Sequence, residues 1–169
     1  MDATPPPPHE PSLREPSQRV SPRARMMWTV EALAQAALLA VVPIVLAGPL
    51  DLFDLPWWVW LLGGLALATY GAVVPRWRYL VHRWEVTETA VYTQTGWWAR
   101  ERRIAPMSRI QTVDHVEGAI SRLFGLATVT VTTASAAGAL AISGLDKDVA
   151  RRLVDELTVK ADAVEGDAT

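Results

Sequence analysis

Two uninterrupted apolar runs dominate this chain, and a change of hydrophobic period follows them. Residues 32–50 carry no charge and one amide, Gln35, and residues 57–75 carry no charge at all. Each run is 19 residues long, close to the roughly 20 that a helix needs to cross a hydrocarbon core. Lipid offers no partner to an exposed backbone amide, so a segment that spans it must be helical. The pattern predicts a membrane α-helical hairpin over residues 26–78, with spans at about 28–50 and 57–75. Only Asp51-Leu52-Phe53-Asp54-Leu55-Pro56 separates the runs, which predicts a tight reversal and two antiparallel neighbours. A helical hairpin buried in a soluble protein would need a larger surrounding core than the remaining residues supply.

From Tyr79 the period becomes alternating. Leu80, His82, Trp84 and Val86 fall on one face of a predicted strand, with Val81, Arg83, Glu85 and Thr87 on the other. Ala90 to Thr95 reads as a second strand ended by Gly96, Ala99 to Ile104 as a third ended by Pro106, and Ile110 to Val116 as a fourth. Thr128-Val129-Thr130-Val131-Thr132 alternates strictly, the pattern of a half-buried strand. Leu140 and Ile142 mark a short sixth, and Ile120, Leu123 and Phe124 suit one helical turn closed by Gly125. After Gly144, Asp146 is placed as an N-cap, and Val149, Leu153, Leu157 and Ala161 recur every four residues. That spacing predicts one amphipathic helix. Residues 79–161 therefore read as an antiparallel sheet or small barrel, one end of which the C-terminal helix covers. Leu123, Phe124, Val129, Val131, Leu153 and Leu157 are expected in its core.

The ends lack such patterning. Residues 1–25 hold Pro5 to Pro8, Pro11, Pro16 and Pro22 and no apolar run, which predicts a disordered, partly polyproline II arm. A Pro-rich run is also a type of ligand for aromatic grooves. Residues 162–169 are expected to be a disordered tail. The first apolar run starts too late and runs too long for a cleavable signal peptide. Within the runs, Ala32, Ala36 and Ala40, and Gly64, Ala68 and Ala72, form small-residue stripes that let helices approach closely in lipid. The stripes suit packing of the hairpin on itself, or formation of a homo-oligomer. Pro43 and Pro49 are candidates to kink or end the first helix.

Charge adds an orientation. Arg14, Arg19, Arg23 and Arg25 precede the first run, Arg76, Arg78 and Arg83 follow the second, and the link holds two aspartates and no base. The positive-inside rule then places both termini in the cytoplasm of a multi-pass protein of the cell membrane. Trp28, Trp77 and Trp84 fall at the inner boundary and Trp57, Trp58 and Trp60 at the outer, as amphipathic rings prefer. The formal charge of −2 argues against a nucleic-acid partner, which selects a basic excess. Without cysteine, disulfides and thiolate metal sites are excluded.

Catalytic patterns are missing from the sequence: it holds no G-x-S-x-G elbow, H-E-x-x-H or P-loop. The spans lack the paired ionisable residues of an intramembrane protease, with Glu31 only at the entrance. His9 lies in the arm, His82 among arginines, and His115 beside Asp114 on a strand whose adjacent side chains diverge. No catalytic, cofactor or metal site is expected.

Two segments carry a family resemblance. Arg103-Ile104-Ala105-Pro106-Met107-Ser108-Arg109-Ile110-Gln111-Thr112-Val113, followed by Ser121-Arg122-Leu123-Phe124-Gly125-Leu126-Ala127-Thr128-Val129, resembles the signature of the YdbS-like bacterial pleckstrin-homology (PH) domain membrane proteins. Trp84-Glu85-Val86-Thr87, Thr132-Thr133-Ala134 and Gly144-Leu145 match as well, and the likeness covers about residues 28–157. It implies a pleckstrin-homology-like antiparallel barrel capped by a C-terminal α-helix. It implies no enzymatic activity, and it suggests a membrane complex with a larger relative bearing several such domains. The functional expectation is a membrane-anchored interaction module that docks a protein partner at the inner leaflet. The alternative is a sensor of anionic lipid headgroups. For the membrane surface the candidates are Arg76, Arg78, Arg83, Arg100, Arg102 and Arg103, with Trp97 and Trp98 at a hairpin tip, where the rings either dip into the interface or pack across strands. For a partner they are Arg109 and Gln111, which share a strand face by parity, and Arg122, which either meets a partner or clamps the domain's own carbonyls or Glu117.

Overall fold

Proline at the first position of a helix gives up no hydrogen bond, and Pro22 opens the first helix in the computed structural model, which describes residues 15–47, 56–96, 98–135 and 138–166. Helix α1 runs over Pro22–Ala47 with Pro43 inside it, and α2 over Trp57–Val81 with Pro75 inside it. Both are long and apolar enough to cross a membrane, and their apolar windows are almost wholly uncovered by the rest of the chain. Leu38, Leu39, Val42, Leu61, Leu62 and Leu65 are exposed along them, an arrangement that water would not support and lipid does. The two helices lie antiparallel, since Leu33 meets Gly71 while Glu31 and Trp28, nearer the start of α1, meet Arg78, nearer the end of α2. The predicted reversal falls largely on residues 48–55, outside the described residues.

Helix α2 outlasts its apolar run. It continues through Pro75 to Val81, so Tyr79 to Val81, read as the start of a strand, are its last turn. Among the described residues, seven strands pair antiparallel in two sheets. The first has the order β1 (Gln18–Arg19), β2 (Arg83–Val86), β3 (Ala90–Thr95), β4 (Glu101–Pro106), and the second the order β5 (Ile110–Val116), β6 (Leu126–Thr133), β7 (Leu140–Asp146). A 3₁₀ turn, Met107–Arg109, joins the sheets; a short helix α3 (Ala119–Leu123) joins β5 to β6; and helix α4 (Lys147–Gly166) closes the domain. This is a PH-like domain: antiparallel sheets and a C-terminal helix. Ala150, Leu153 and Leu157 of α4 are buried against the core that holds Val129, Val131 and Leu126.

The largest departure from the pattern-based reading lies before the first span. Of the expected disordered arm, residues 15–25 are ordered and residues 1–14 lie outside the described residues; of the expected tail, residues 162–166 continue α4 and residues 167–169 lie outside. Gln18 and Arg19 pair with Trp84 and Arg83, the Ser21 amide donates to the Gly144 carbonyl at 2.9 Å, and Val20, Ala24, Met27 and Trp28 lie in the domain core. A helix of 26 residues is about 39 Å long, roughly 9 Å more than a hydrocarbon core, and the surplus at its start is what the domain takes up. Gly144 makes room for it. Its φ of +78° and the 2.7 Å that would separate an added Cβ from Ala24 Cβ admit glycine alone.

Two further corrections concern side chains. Ala32 and Ala36 do face the partner helix, but α2 answers with buried Gly71 and Pro75, while Gly64, Ala68 and Ala72 point outward. Leu123, expected in the core, is 84% exposed at the end of α3, although its neighbour Phe124 packs on the core. The strict alternation that sorted the strands does not apply to a single helical turn, where only one side can face inward.

Candidate functional site

The register of the first sheet decides which arginines stand together. Arg83 pairs with Gln94 and Gln94 with Arg102, so these three share one face, while Trp84, Thr93 and Arg103 share the other. Like charges gathered on one face of a sheet repel, and a carboxylate from outside the sheet answers them. Glu15 lies 3.8 Å from Arg83, 3.6 Å from Arg100 and 3.7 Å from Arg102. Arg102 also donates from Nε to Gln94 Oε1 at 2.9 Å, and Gln94 Nε2 donates to the Val81 carbonyl at 3.1 Å. That bridge ties the end of α2 to the sheet. Arg83, Arg100 and Arg102 are thus engaged within the chain. No local pattern marks Glu15 in the sequence, because its role exists only once β1 has joined the sheet edge.

On the other face, the hairpin and the domain meet. Arg78 stacks 4.4 Å above the Trp28 ring and lies 3.9 Å from Glu31. Trp28 in turn contacts His82 at 4.8 Å between ring centres. His82 Nδ1 donates to the Arg78 carbonyl at 2.8 Å, an assignment that follows because a carbonyl only accepts. Burial away from water pushes the His82 imidazole down to about 4, against the pull of that hydrogen bond, so the ring is neutral at physiological pH. Arg103 donates from Nε to Glu101 at 2.6 Å and from Nη1 to the Ala139 carbonyl at 3.1 Å. Arg76 turns back on its own helix, with Nη1 2.6 Å from the Ala72 carbonyl. Two cavities of about 440 and 540 Å³ open beside this junction, and Gln35, Tyr70, Val74 and Arg78 line both.

Of the tip residues, Trp98 is 88% exposed, between Gly96 and the start of β4, and Trp97 lies outside the described residues. The three partner candidates are all exposed, but Arg109 and Gln111 do not share the strand face that parity suggested. Arg109 ends the 3₁₀ turn, and Gln111 falls where the β5–β6 register shifts between Ile110 and Thr112. A bulge resets which side a residue faces. Arg122 is on α3, and Glu117 is bound by Lys147 Nζ at 2.8 Å, whose ammonium holds that carboxyl below the usual range. His115 Nε2 is 3.9 Å from Glu117. Among the described residues no group of three or more His, Asp or Glu side chains is arranged to hold a metal ion.

Comparison with known proteins follows the same line. A family described as "Bacterial PH domain" matches residues 32–160, well over half of the chain. The UPF0699 transmembrane protein YdbS of Bacillus subtilis is 29% identical over 160 residues, covering 90% of this chain and 98% of that protein. No solved structure matches the chain.

Proposed function

This chain belongs to the bacterial PH-domain family and is a membrane protein of the YdbS kind, and from that premise we propose that it is a non-enzymatic adaptor that docks a protein partner at the inner leaflet. One observation carries the reading: α1 passes without a break from its apolar run into the domain core, where Ala24 rests on Gly144. A flexible tether would leave the domain free to tumble. This junction instead fixes which face it offers. Arg109, Gln111 and Arg122, with the protruding Leu123, are the exposed signature residues available for recognition. The partner we infer is another membrane protein, of which a larger relative with several PH-like domains is the leading candidate. Arginines at both ends of the hairpin support cytoplasmic termini for the two-span topology.

A photo-crosslinking residue at Arg122 in native membranes should give one discrete protein adduct, absent when the residue is placed at Glu88 on the opposite end of the domain. Adducts to lipid alone would remove the docking reading.

A second reading, a sensor of anionic headgroups, is favoured by the exposed Trp98 at a tip flanked by Arg100. Its test is a salt-sensitive blue shift of Trp98 fluorescence, the other tryptophans replaced by Phe, when the chain is reconstituted in anionic rather than neutral bilayers, and it must use the whole chain, because residues before Tyr79 supply part of the domain core.

A further inference from the structure

The larger of the two junction cavities has walls of three kinds. Tyr70 and Val74 of α2 line it within the last turn and a half of the apolar run, with Gln35 of α1 opposite. Next come Arg78 and Arg103, one from the helix and one from the inner face of β4. The strands also contribute hydroxyls, Thr93 and Thr95 from β3 and Ser143 from β7. Its volume of about 540 Å³ is within the usual range of small-molecule sites, roughly 300–1,000 Å³.

We propose that this cleft between the hairpin and the PH-like domain binds the headgroup of one membrane phospholipid, its phosphodiester on Arg78 and Arg103 and its glycerol end along Tyr70 and Val74. The chemistry of the walls selects this class. A guanidinium presents a planar fork that matches phosphate oxygens, and both guanidinium groups border the space although each also has a carboxylate nearby, Glu31 and Glu101. Glu101 itself lines the cleft. One acid among two bases suits a ligand with a phosphate and an ammonium, such as a phosphoethanolamine lipid, better than a multiply charged anion. A soluble metabolite would leave the Tyr70–Val74 wall in contact with water or with acyl chains, whereas a lipid covers it with its own glycerol and first methylenes. Arg78 is fixed by the Trp28 ring at 4.4 Å, so the cleft is preorganised, and little ordering is needed on binding.

The site is distinct from the Trp98 tip and goes beyond both readings above; it rests on the hairpin being in the membrane, and the test separates the two. The full-length protein, extracted in mild detergent and stripped of lipid, is titrated with phosphatidylethanolamine, phosphatidylglycerol, a diacylglycerol of the same chains, or inorganic phosphate, and bound adducts are counted by native mass spectrometry. The expected result is one phospholipid per chain, phosphatidylethanolamine preferred, with diacylglycerol bound at least about tenfold more weakly, the loss expected on removing hydrogen bonds to a charged group. Arg103→Gln should weaken the adduct by a similar factor, as should the milder pair Thr95→Val and Ser143→Ala, which keeps the folded charge pairs. Arg109→Gln, remote from the cleft, should not. Equal binding of diacylglycerol would overturn the site, as would an unchanged adduct in both cleft variants. Binding of inorganic phosphate alone would replace the lipid with a soluble phosphate. A protein that sediments with membranes yet retains no lipid adduct would refute the cleft while leaving the membrane assignment intact.

Discussion

At Gly144 a hydrogen stands where any other residue has a carbon, and the first helix depends on it. The positive φ costs an L-residue roughly 1–2 kcal/mol, and a methyl there would lie 2.7 Å from Ala24 Cβ. Gly144→Ala should therefore lower the melting temperature of the full chain in detergent by several degrees; an unchanged melt would show that α1 does not rest on β7. His82 makes a pH-dependent contribution. Its folded value of about 4 is below the unfolded value of about 6.5, so the unfolded chain binds more protons between the two. The stability is complete above about pH 6.5 and is lost as pH falls toward 4. His82→Gln should flatten the part of the pH–melting curve between pH 7 and 5 that the wild type shows, and parallel curves would contradict it. Leu153, buried under the sheet, should cost about 2–5 kcal/mol when cut to alanine, whereas exposed Leu123 should cost almost nothing. Equal effects would mean that α4 is not the cap. Periodicity found Val129, Val131, Leu153 and Leu157 because each repeats within a long element, and it misplaced Leu123 because one turn of helix carries no repeat.

Elements with their own pattern were legible. The expected strands at Ala90 to Thr95 and Ile110 to Val116 have the observed limits, and the amphipathic helix begins one residue after Asp146. Asp146 follows a different rule from the one expected: its carboxylate accepts from Ser21 Oγ at 2.9 Å and lies 3.4 Å from Arg23 Nη1, fastening the head of α1. Strand β1 left no trace in the hydrophobic pattern, since two exposed polar residues become a strand only by pairing with β2. Its anchor is Glu15. Pairs this exposed contribute little singly, yet three arginines meet on one carboxylate, and salt screens them. Glu15→Gln, or raising the salt concentration, should speed amide exchange at Gln18 and Arg19 severalfold and leave β6 unaffected. Exchange that ignores both would show that the backbone pairing alone retains the segment. The candidate surface was only partly legible for the same reason: Arg83, Arg100 and Arg102 read as free basic residues until the acidic partner arrived from a distant part of the chain.

At the scale of the molecule, the hairpin and the domain share one core, and the adaptor reading and the lipid cleft both follow from that junction. The fold class was legible because apolar runs and alternating strands differ in period over many residues. The junction was not, because it joins residues more than a hundred positions apart, Ser21 to Gly144 and Asp146. Cytoplasmic placement of the domain and of both ends, with the link on the outer side, is the proposal on which the docking reading depends. The chain has no cysteine, so single cysteines at Ser17, Asp54 and Asp162 can be probed in intact cells with an impermeant thiol reagent. Labelling at Asp54 alone, with Ser17 and Asp162 reacting only after the membrane is opened, is the predicted result. Labelling of Ser17 or Asp162 in intact cells, with none at Asp54, would contradict it.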